Sequence, residues 1–256
     1  MRWVALIAAA AAFALIVSQD GWWQWLLSTM FPREAQVLHP RASLGTLVLQ
    51  HITLVGLSSS LTLLLGLPLG IAVTRSFGKP FLGLVNDITT FGQTFPPVAV
   101  LALAVPLMGF GLKPTVLALF LYGLLPVVRN TIAGITAVPE STRDAARGLG
   151  MTAVQILLRV ELPLAARVIV AGIRTSVVIN VGTAMIGAVI GAGGLGSPII
   201  AGLIQDNLAF VVQGALPAAA LSLLLDQTLA AFETLVPGPG ASRPSDGDRL
   251  SVLARV

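Results

Sequence analysis

The residues of this 256-residue chain that could take part in chemistry are few, and one stretch concentrates them. It reads DAARGLGMTAVQILLRVELP, residues 144–163, in a sequence with only 10% charged residues. Its ionic side chains are Asp144, Arg147, Arg159 and Glu161. Such charges can pair with one another or contact a partner protein. No Ser–His–Asp or Cys–His set accompanies them, so we do not expect an enzyme.

Metal, nucleotide and cofactor sites are not expected either. The chain has no cysteine, and its two histidines, His39 and His51, are too far apart to indicate a metal site. The segment GAGGLG, residues 191–196, fits G-x-G-x-x-G, but a dinucleotide site needs a strand before it, a helix after it and an acid about 20 residues on. It follows an apolar helix, precedes a serine-proline pair, and the nearest acid, Asp206, is too close. We interpret it as an extracytoplasmic turn or re-entrant piece.

ATP binding by this chain is also not expected. No G-x-x-x-x-G-K-[ST] phosphate loop is present, and SFGKP lacks both the upstream glycine spacing and the following serine or threonine. Any ATP would have to be bound by a partner subunit.

Polar and helix-breaking residues within GQTFPPVAVLALAVP form a second candidate site. Pro96 and Pro97 lack amide protons and break the helical hydrogen-bond ladder. The freed carbonyl groups, with Gln93 and Thr94, could line a translocation pathway, because irregular backbone is tolerated around a cavity. A packing kink, with Gln93 bonded to a neighbouring helix, is an equal alternative.

The elements that carry these residues must be transmembrane helices. The chain is 55% hydrophobic with a mean hydropathy of +0.91, whereas a soluble domain is typically about 25% charged. Six apolar segments are long enough to cross a bilayer: 3–17, 47–73, 84–107, 115–137, 168–190 and 208–232. We therefore predict an all-α integral membrane protein with about six transmembrane helices. Its net charge of +4 is spread over loops, so no nucleic-acid partner is expected.

The distribution of lysine and arginine predicts the orientation. The first span has no clear small-x-small cleavage site after it, which favours an uncleaved anchor over a signal peptide. With the N-terminus in the cytoplasm, twelve of the fifteen basic residues lie inside, and only Arg33, Arg41 and Lys113 lie outside. Both termini are therefore expected in the cytoplasm. Three parts are expected: an anchor with an extracytoplasmic segment over 1–46, a membrane core over 47–236, and a mobile cytoplasmic tail over 237–256.

Several polar residues fall inside the predicted spans. Asn180 and Thr183 are weaker pathway candidates, because single polar residues often serve as hydrogen bonds between membrane helices. A charge at mid-bilayer costs at least about 2.5–3.5 kcal/mol, so Asp87 and Asp226 should face protein or water. We interpret both as structural partners of nearby arginines: Arg75, Arg129 or Arg174.

The first half of the loop over residues 138–167 predicts a short helix. Pro139 and the residues after it supply a helix start, and Asp144 near that start favours the positive end of the helix. Ala145 and Ala146 are strong helix formers with little side-chain bulk. The expected product is a short helix with an approachable face.

The second half of the loop predicts a turn and another helix. Gly150 permits a sharp reversal that a residue with a β-carbon would resist. The stretch TAVQILLRV then predicts an amphipathic helix, closed by Leu162 and Pro163. An ordinary solvated loop is one interpretation of this segment. The other is a docking element for a cytoplasmic partner, since docking needs a small protruding face with a few anchors.

The spacing within this loop resembles the EAA loop of ABC-importer permeases. The matching positions are Asp144, Ala145, Ala146, Gly150, Val160, Leu162 and Pro163. Asp144 stands where glutamate is usual and Val160 where isoleucine is usual, and the shorter reach of aspartate puts a specific salt bridge there in doubt. The resemblance implies a type I importer permease fold and a loop that docks on an ATPase subunit, which moves the membrane helices.

Apolar blocks between about residues 49 and 233, with GAGGLG, resemble the osmoprotectant branch of that superfamily, which imports glycine betaine, choline and carnitine. The resemblance implies a multi-pass protein of a bacterial inner membrane. Its partners would be an ATPase, a second permease chain and an extracytoplasmic solute-binding protein, within membrane lipid. Tyr122 is the single tyrosine, and cation recognition commonly needs an aromatic cage, so we expect only a weak passage site here. The alternatives are another cargo, such as an amino acid, or a secondary transporter.

Overall fold

The computed structural model describes residues 2–236, and the predicted tail over 237–256 lies outside the described residues. The described part consists of helices and short connections. The α-helices, in chain order, are α1 Arg2–Val17, α2 Asp20–Met30, α3 Leu44–Ala72, α4 Leu82–Thr94, α5 Pro97–Met108, α6 Leu112–Thr136, α7 Glu140–Gly148, α8 Ala153–Ile156, α9 Leu162–Thr183, α10 Gly196–Gln205 and α11 Leu208–Leu235. Helices satisfy their own backbone groups, which is the condition for crossing lipid.

Three of these helices, α3, α6 and α11, are long and apolar enough to cross a membrane. Two bent pairs raise the number to as many as five: α1 with α2, bent by 76°, and the helical segment Lys79–Thr94 with α5, bent by 95°. The fold is therefore that of an all-α membrane protein. The predicted span over 168–190 corresponds to α9 and the 3₁₀-helix Ala184–Ile190; it is not among these five, and the count of six stays a prediction.

The predicted continuous span over 84–107 is wrong. The helix ends at Thr94, Phe95 is extended, and a new helix begins at Pro97. The prolines are the physical reason: Pro96 has no amide proton to continue α4, while Pro97 occupies the first turn of α5, where none is needed. The break that the proline pair predicts is confirmed.

The glycine-rich segment 191–196 forms a turn, as expected, with positive φ angles at Gly191, Gly193 and Gly194. The helix α10 begins at Gly196, the last residue of this segment, so the interpretation of the serine-proline pair as a sign that no helix follows is wrong. Pro198 lies within the first turn of that helix, where a missing amide proton is tolerated. A 3₁₀-helix rather than a strand precedes the turn, so the segment is not a dinucleotide fingerprint.

The centre of the protein is the packing of α3, α6 and α9. The first two come close because a Cβ on Gly66 would lie 3.1 Å from Val127 Cγ1, and one on Gly70 would lie 2.8 Å from Thr131 Cβ. Small residues let membrane helices approach in this way, where lipid offers no hydrophobic driving force. The N-terminal α1 packs on α11 through the edge-to-face contact of Trp3 and Phe232, whose ring centroids are 4.9 Å apart.

Candidate functional site

The helix α7 is short and ends in a defined turn. After Gly148 the chain passes through Leu149 to Gly150, which has a φ of +77°. The amide of Met151 donates to the carbonyl of Ala146 at 3.1 Å, and the amide of Gly150 donates to the carbonyl of Arg147 at 2.9 Å. These two bonds form a Schellman motif, which satisfies the last carbonyls of a helix and favours glycine in the left-handed position. The reversal predicted at Gly150 is confirmed.

The two alanines of the predicted motif face different ways. Ala145 is exposed, whereas Ala146 is buried against the protein itself. The exposed side of the expected short helix therefore includes Ala145, whereas Ala146 lies on the side that faces inward. Asp144 is exposed and pairs with Arg147 of its own helix at 2.5 Å. Its carboxylate is occupied within α7.

The connection after Gly150 is polar at its start and apolar on its outer side. Thr152 and Gln155 form a capping box. The backbone amide of Gln155 donates to Thr152 Oγ1 at 3.3 Å, and the backbone amide of Thr152 donates to Gln155 Oε1 at 2.8 Å. Large apolar side chains near this turn are exposed, at 83% for Leu149, 64% for Val154 and 58% for Leu158.

The second helix of the loop does not end at Leu162 and Pro163, so that expectation is wrong. It passes through a π-helical turn, Leu157–Glu161, which contains Val160, directly into α9. The amide of Leu162 donates to the carbonyl of Leu157, five residues back. Pro163 occupies the first turn of α9, where a missing amide proton does no harm. Val160 and Leu162 are half-buried and Pro163 is exposed.

A buried ionic contact joins the loop to the membrane helices. The side chain of Glu161 is only 4% exposed; its Oε1 accepts from Arg143 Nε at 2.8 Å, and its Oε2 lies 2.7 Å from Arg75 Nη1. Arg143 also donates from Nη2 to the carbonyl of Ile135 at 2.7 Å. We call Arg75, Arg143 and Glu161 the ionic joint. In the sequence, Arg143 and Glu161 are charged residues of one loop. Nothing in their spacing links them to Arg75, which lies in a distant segment of the chain.

A second, exposed set of ion pairs lies on α7. Glu140 Oε1 accepts from Arg147 at 2.8 Å, and its Oε2 accepts from Arg143 at 2.9 Å. The hydrogen bonds from Arg147 and then Arg143 hold the pKa of the Glu140 carboxyl below its usual range. Hydrogen bonds to the charged form of a carboxyl have this effect. A cavity of about 910 Å³ lies beside these pairs and is lined by residues of α3, α6, α7 and α8.

The residues of the second candidate site lie around the break between α4 and α5. Gln93 donates from Nε2 to the carbonyl of Tyr122 on α6 at 3.3 Å. The hydroxyl of Tyr122 donates to the carbonyl of Phe95, which the helix break leaves without an α-helical partner. Thr94 is exposed and bonds only within its own helix. Gln93 is therefore bonded to a neighbouring helix, as the packing interpretation expects. Its role in a translocation pathway stays a prediction.

Asn180 and Thr183 do not join that group. Asn180 is buried, and its Nδ2 donates to Ser58 Oγ of α3 at 3.3 Å. The same side chain lies close to α6, since a Cβ built on Gly123 would be 3.1 Å from Asn180 Nδ2. Such a bond is typical of helix–helix contacts in membranes. Thr183 is half-buried at the end of α9. Neither residue has a hydrogen bond to Gln93 in the described part of the chain.

The two intramembrane aspartates differ. Asp226 of α11 accepts two hydrogen bonds from Arg174 of α9, at 2.6 and 2.8 Å, which confirms a structural partnership. Asp87 is exposed, and within residues 2–236 it forms no ion pair, so the pairing predicted for it is wrong. The arginine that does reach α4, Arg129, donates instead to Thr90 Oγ1 at 3.2 Å.

Comparisons with known proteins give the relationship directly. A family model described as "Binding-protein-dependent transport system inner membrane component" matches residues 66–236. The osmoprotectant import permease protein OsmY of Salmonella typhimurium is 42% identical over 210 residues, which are 82% of this chain and 86% of that protein. The choline transport system permease protein OpuBB of Bacillus subtilis is 39% identical over 194 residues, which are 76% of this chain and 88% of that protein.

A solved structure has the same fold. An inward-facing form of the methionine ABC transporter MetNI matches with a TM-score of 0.66 and 22% identity, covering 75% of this chain and 95% of that chain. Identity at this level supports the fold alone. The family model and the relatives at about 40% identity, together with the helical fold, define a multi-pass membrane subunit of the ABC-importer permease class. The chain belongs to the family of binding-protein-dependent transport system inner membrane components.

Proposed function

We propose that this chain is the permease subunit of an ATP-driven importer for osmoprotectants, namely quaternary ammonium solutes such as glycine betaine, choline or carnitine. The observation that carries this proposal is the 37–42% identity to permease proteins named for osmoprotectant, choline and glycine betaine/carnitine/choline transport. Tyr122 is buried, with only 9% of its surface exposed, so its ring face is little available to a cation cage. Selective binding of the solute is then the task of a separate binding protein.

The loop over 138–167 is the proposed docking element for the ATPase. Leu149, Val154 and Leu158 of this loop, which we call the coupling surface, are exposed. Exposed apolar side chains at one docking loop would supply the anchors that a partner protein needs. The Schellman turn at Gly150 orients them relative to α7. ATP is bound by the partner ATPase, and this chain carries no cofactor.

The proposed topology places the loop and both termini in the cytoplasm. The contact of Trp3 with Phe232 supports it, because the two ends of the described chain then lie at the same membrane face. The excess of basic residues assigns that face to the inside. A solute-binding protein would approach from the opposite face, and a second permease chain would complete the pathway within the lipid.

The experiment that tests this proposal combines binding and uptake. Tagged chain is purified with its candidate ATPase from native membranes, and the Gly150→Pro variant is the comparison, because proline fixes φ near −65° and cannot adopt +77°. Cells that carry the chain, the ATPase and the binding protein are then supplied with labelled glycine betaine or choline. We expect ATPase recovery and ATP-dependent uptake with the wild type only. Uptake that persists without an ATPase would instead favour a secondary transporter, and uptake of an amino acid alone would reassign the cargo.

A further inference from the structure

The helix α7 has little apolar attachment to the rest of the protein. Ala146 is its one buried residue in the described chain. A single alanine provides a small apolar contact, so packing alone cannot hold this helix firmly against the membrane helices. The strong contacts of α7 with other segments are ionic, and they pass through Arg143.

The ionic joint connects four segments at one point. Arg143 belongs to α7, Glu161 is the residue before α9, and Arg75 lies three residues after the end of α3. The bond from Arg143 to the Ile135 carbonyl adds the end of α6. The side chain of Glu161 is 4% exposed, and those of Arg143 and Arg75 are 16% and 23% exposed. The hydrogen bonds from Arg143 are charge-assisted and therefore stronger than neutral ones. The contact of Arg75 with Glu161 Oε2 is an ion pair without hydrogen-bond geometry, and ion pairs in such a place are poorly screened by salt.

The geometry of Glu161 suits the transfer of a displacement. Each of its two carboxylate oxygens contacts a different arginine, so the group lies between the arm to α7 and the arm to α3. The backbone of Glu161 continues directly into α9. Glu161 is the last residue of the π-helical turn Leu157–Glu161. Such turns are frequent at functional sites. A movement of α7 therefore pulls on α3 and α9 together.

We propose that Glu161 is a positioning residue that converts displacement of α7 into joint movement of α3 and α9. This inference rests on the proposed function, since the displacement is the one that a docked ATPase would impose. Glu161 itself need not touch the ATPase, the solute or ATP. Its role is to make four cytoplasmic helix ends move as one body.

The test measures the distance between α7 and α9 in the complete importer. The chain contains no cysteine, so Ser141→Cys on α7 and Thr175→Cys on α9, both at exposed positions, take spin labels without background. Double electron–electron resonance is recorded for the permease–ATPase complex in nanodiscs, without nucleotide and with ATP plus vanadate. Import of labelled glycine betaine per ATP hydrolysed is measured in proteoliposomes with the binding protein.

Four variants separate the joint from a general loss of ion pairs. Glu161→Gln should leave ATPase binding and hydrolysis in place, broaden the α7–α9 distance distribution, and lower import per ATP by about tenfold, within the usual range for coupling between sites. Glu161→Asp keeps the charge and should recover most of the ratio. Arg143→Gln removes the α7 arm, together with the bonds of Arg143 to Glu140 and to the Ile135 carbonyl, but leaves the contact between Glu161 and Arg75. It should reproduce the broad distribution. Asp226→Asn is the matched control, because its partner Arg174 lies on α9 but has no contact with α7, and the distribution should stay narrow.

The outcomes distinguish this inference from the proposed function. If Glu161→Gln has the wild-type ratio of import to ATP hydrolysed and a narrow α7–α9 distance distribution, the positioning role is overturned while the importer assignment stands. If Glu161→Gln does not insert, the same two readings from Arg143→Gln decide the matter, and wild-type values there would equally overturn it. If the wild-type chain binds no ATPase, the proposed function fails. The α7–α9 distribution of the permease alone then still shows whether Glu161 holds the two helices together.

Discussion

Replacing Gly150 with alanine isolates the backbone conformation that ends α7. Gly150 has a φ of +77°, and a Cβ built there would meet no atom within 4 Å. Any cost is therefore conformational rather than steric. An L-residue in the left-handed region costs about 1–2 kcal/mol. Because α7 has one buried residue, this turn lies at the low-stability end of the molecule, and the strain should appear as weaker ATPase binding by a factor of up to about 5–30.

The matched control for Gly150→Ala is Gly148→Ala. Gly148 lies two positions earlier, inside α7, and a Cβ there also meets nothing within 4 Å. It is not among the glycines with positive φ, so alanine should stabilise the helix by about 1 kcal/mol. Gly150→Asn is the rescue, because asparagine tolerates the left-handed conformation better than alanine.

The assay is the affinity of the purified ATPase for the permease in nanodiscs, measured by interferometry. Every variant is measured over the same range of ATPase concentrations and in the same lipid composition. We expect the order Gly148→Ala at or above wild type, then Gly150→Asn, then Gly150→Ala. Equal affinities for the two alanine variants would refute the argument that the Schellman turn orients the coupling surface. Equal loss with asparagine and alanine would show that the φ angle is not the cause.

Three further predictions address other parts of the chain. Gln93→Leu removes the amide donor at the helix break and should lower solute uptake with assembly intact; unchanged uptake would remove Gln93 from the pathway. Asp226→Asn removes the closer of the two carboxylates that pair with Arg174 and leaves only Glu233, at 3.5 Å. The loss should cost about 1–3 kcal/mol and lower the thermal unfolding midpoint, which an unaltered midpoint would contradict. The hydrogen bond from Arg147, followed by that from Arg143, lowers the pKa of the Glu140 carboxyl. The stability it adds to α7 is thus present above its unfolded pKa of about 4.3 and is lost as pH falls through the lower folded value. ATPase docking measured against pH should show this acid step, and Glu140→Gln should remove it.

Local features of the chain were predictable because their causes are local. The adjacent Pro96 and Pro97 lack two successive amide protons, so the break between α4 and α5 followed from this pair. Single prolines do not have this effect here, since Pro68 and Pro126 lie inside continuous helices. Gly150 is the residue type that a left-handed helix end prefers, and the reversal there followed in the same way. The same reasoning went wrong at Pro163. Proline is compatible with both the end of one helix and the first turn of the next, and only the neighbouring π-helical turn decides between them.

Features that depend on two distant segments were not predictable from one sequence. Asp226 was expected to have an arginine partner, but the choice of Arg174 depends on how α9 packs on α11. An approachable face was expected on α7, but which of its two alanines is exposed depends on how the helix lies on the protein, and Ala146 faces inward. Nothing in the spacing of Arg75 and Glu161 marks them as partners, since 86 positions separate them along the chain (161 − 75) and the contact forms only when α3 and α9 come side by side.

The sequence by itself determined that this is a helical membrane protein, where its helices break, and where a charged loop with a glycine turn interrupts them. Those properties follow from hydropathy, from missing amide protons and from allowed backbone angles, all of which belong to single residues or short stretches. The tertiary structure alone decided which charges meet, which alanine is buried and which face of the loop is free. A buried carboxylate such as Glu161 is stable only with its partners in place, and partners from different helices are brought together by packing.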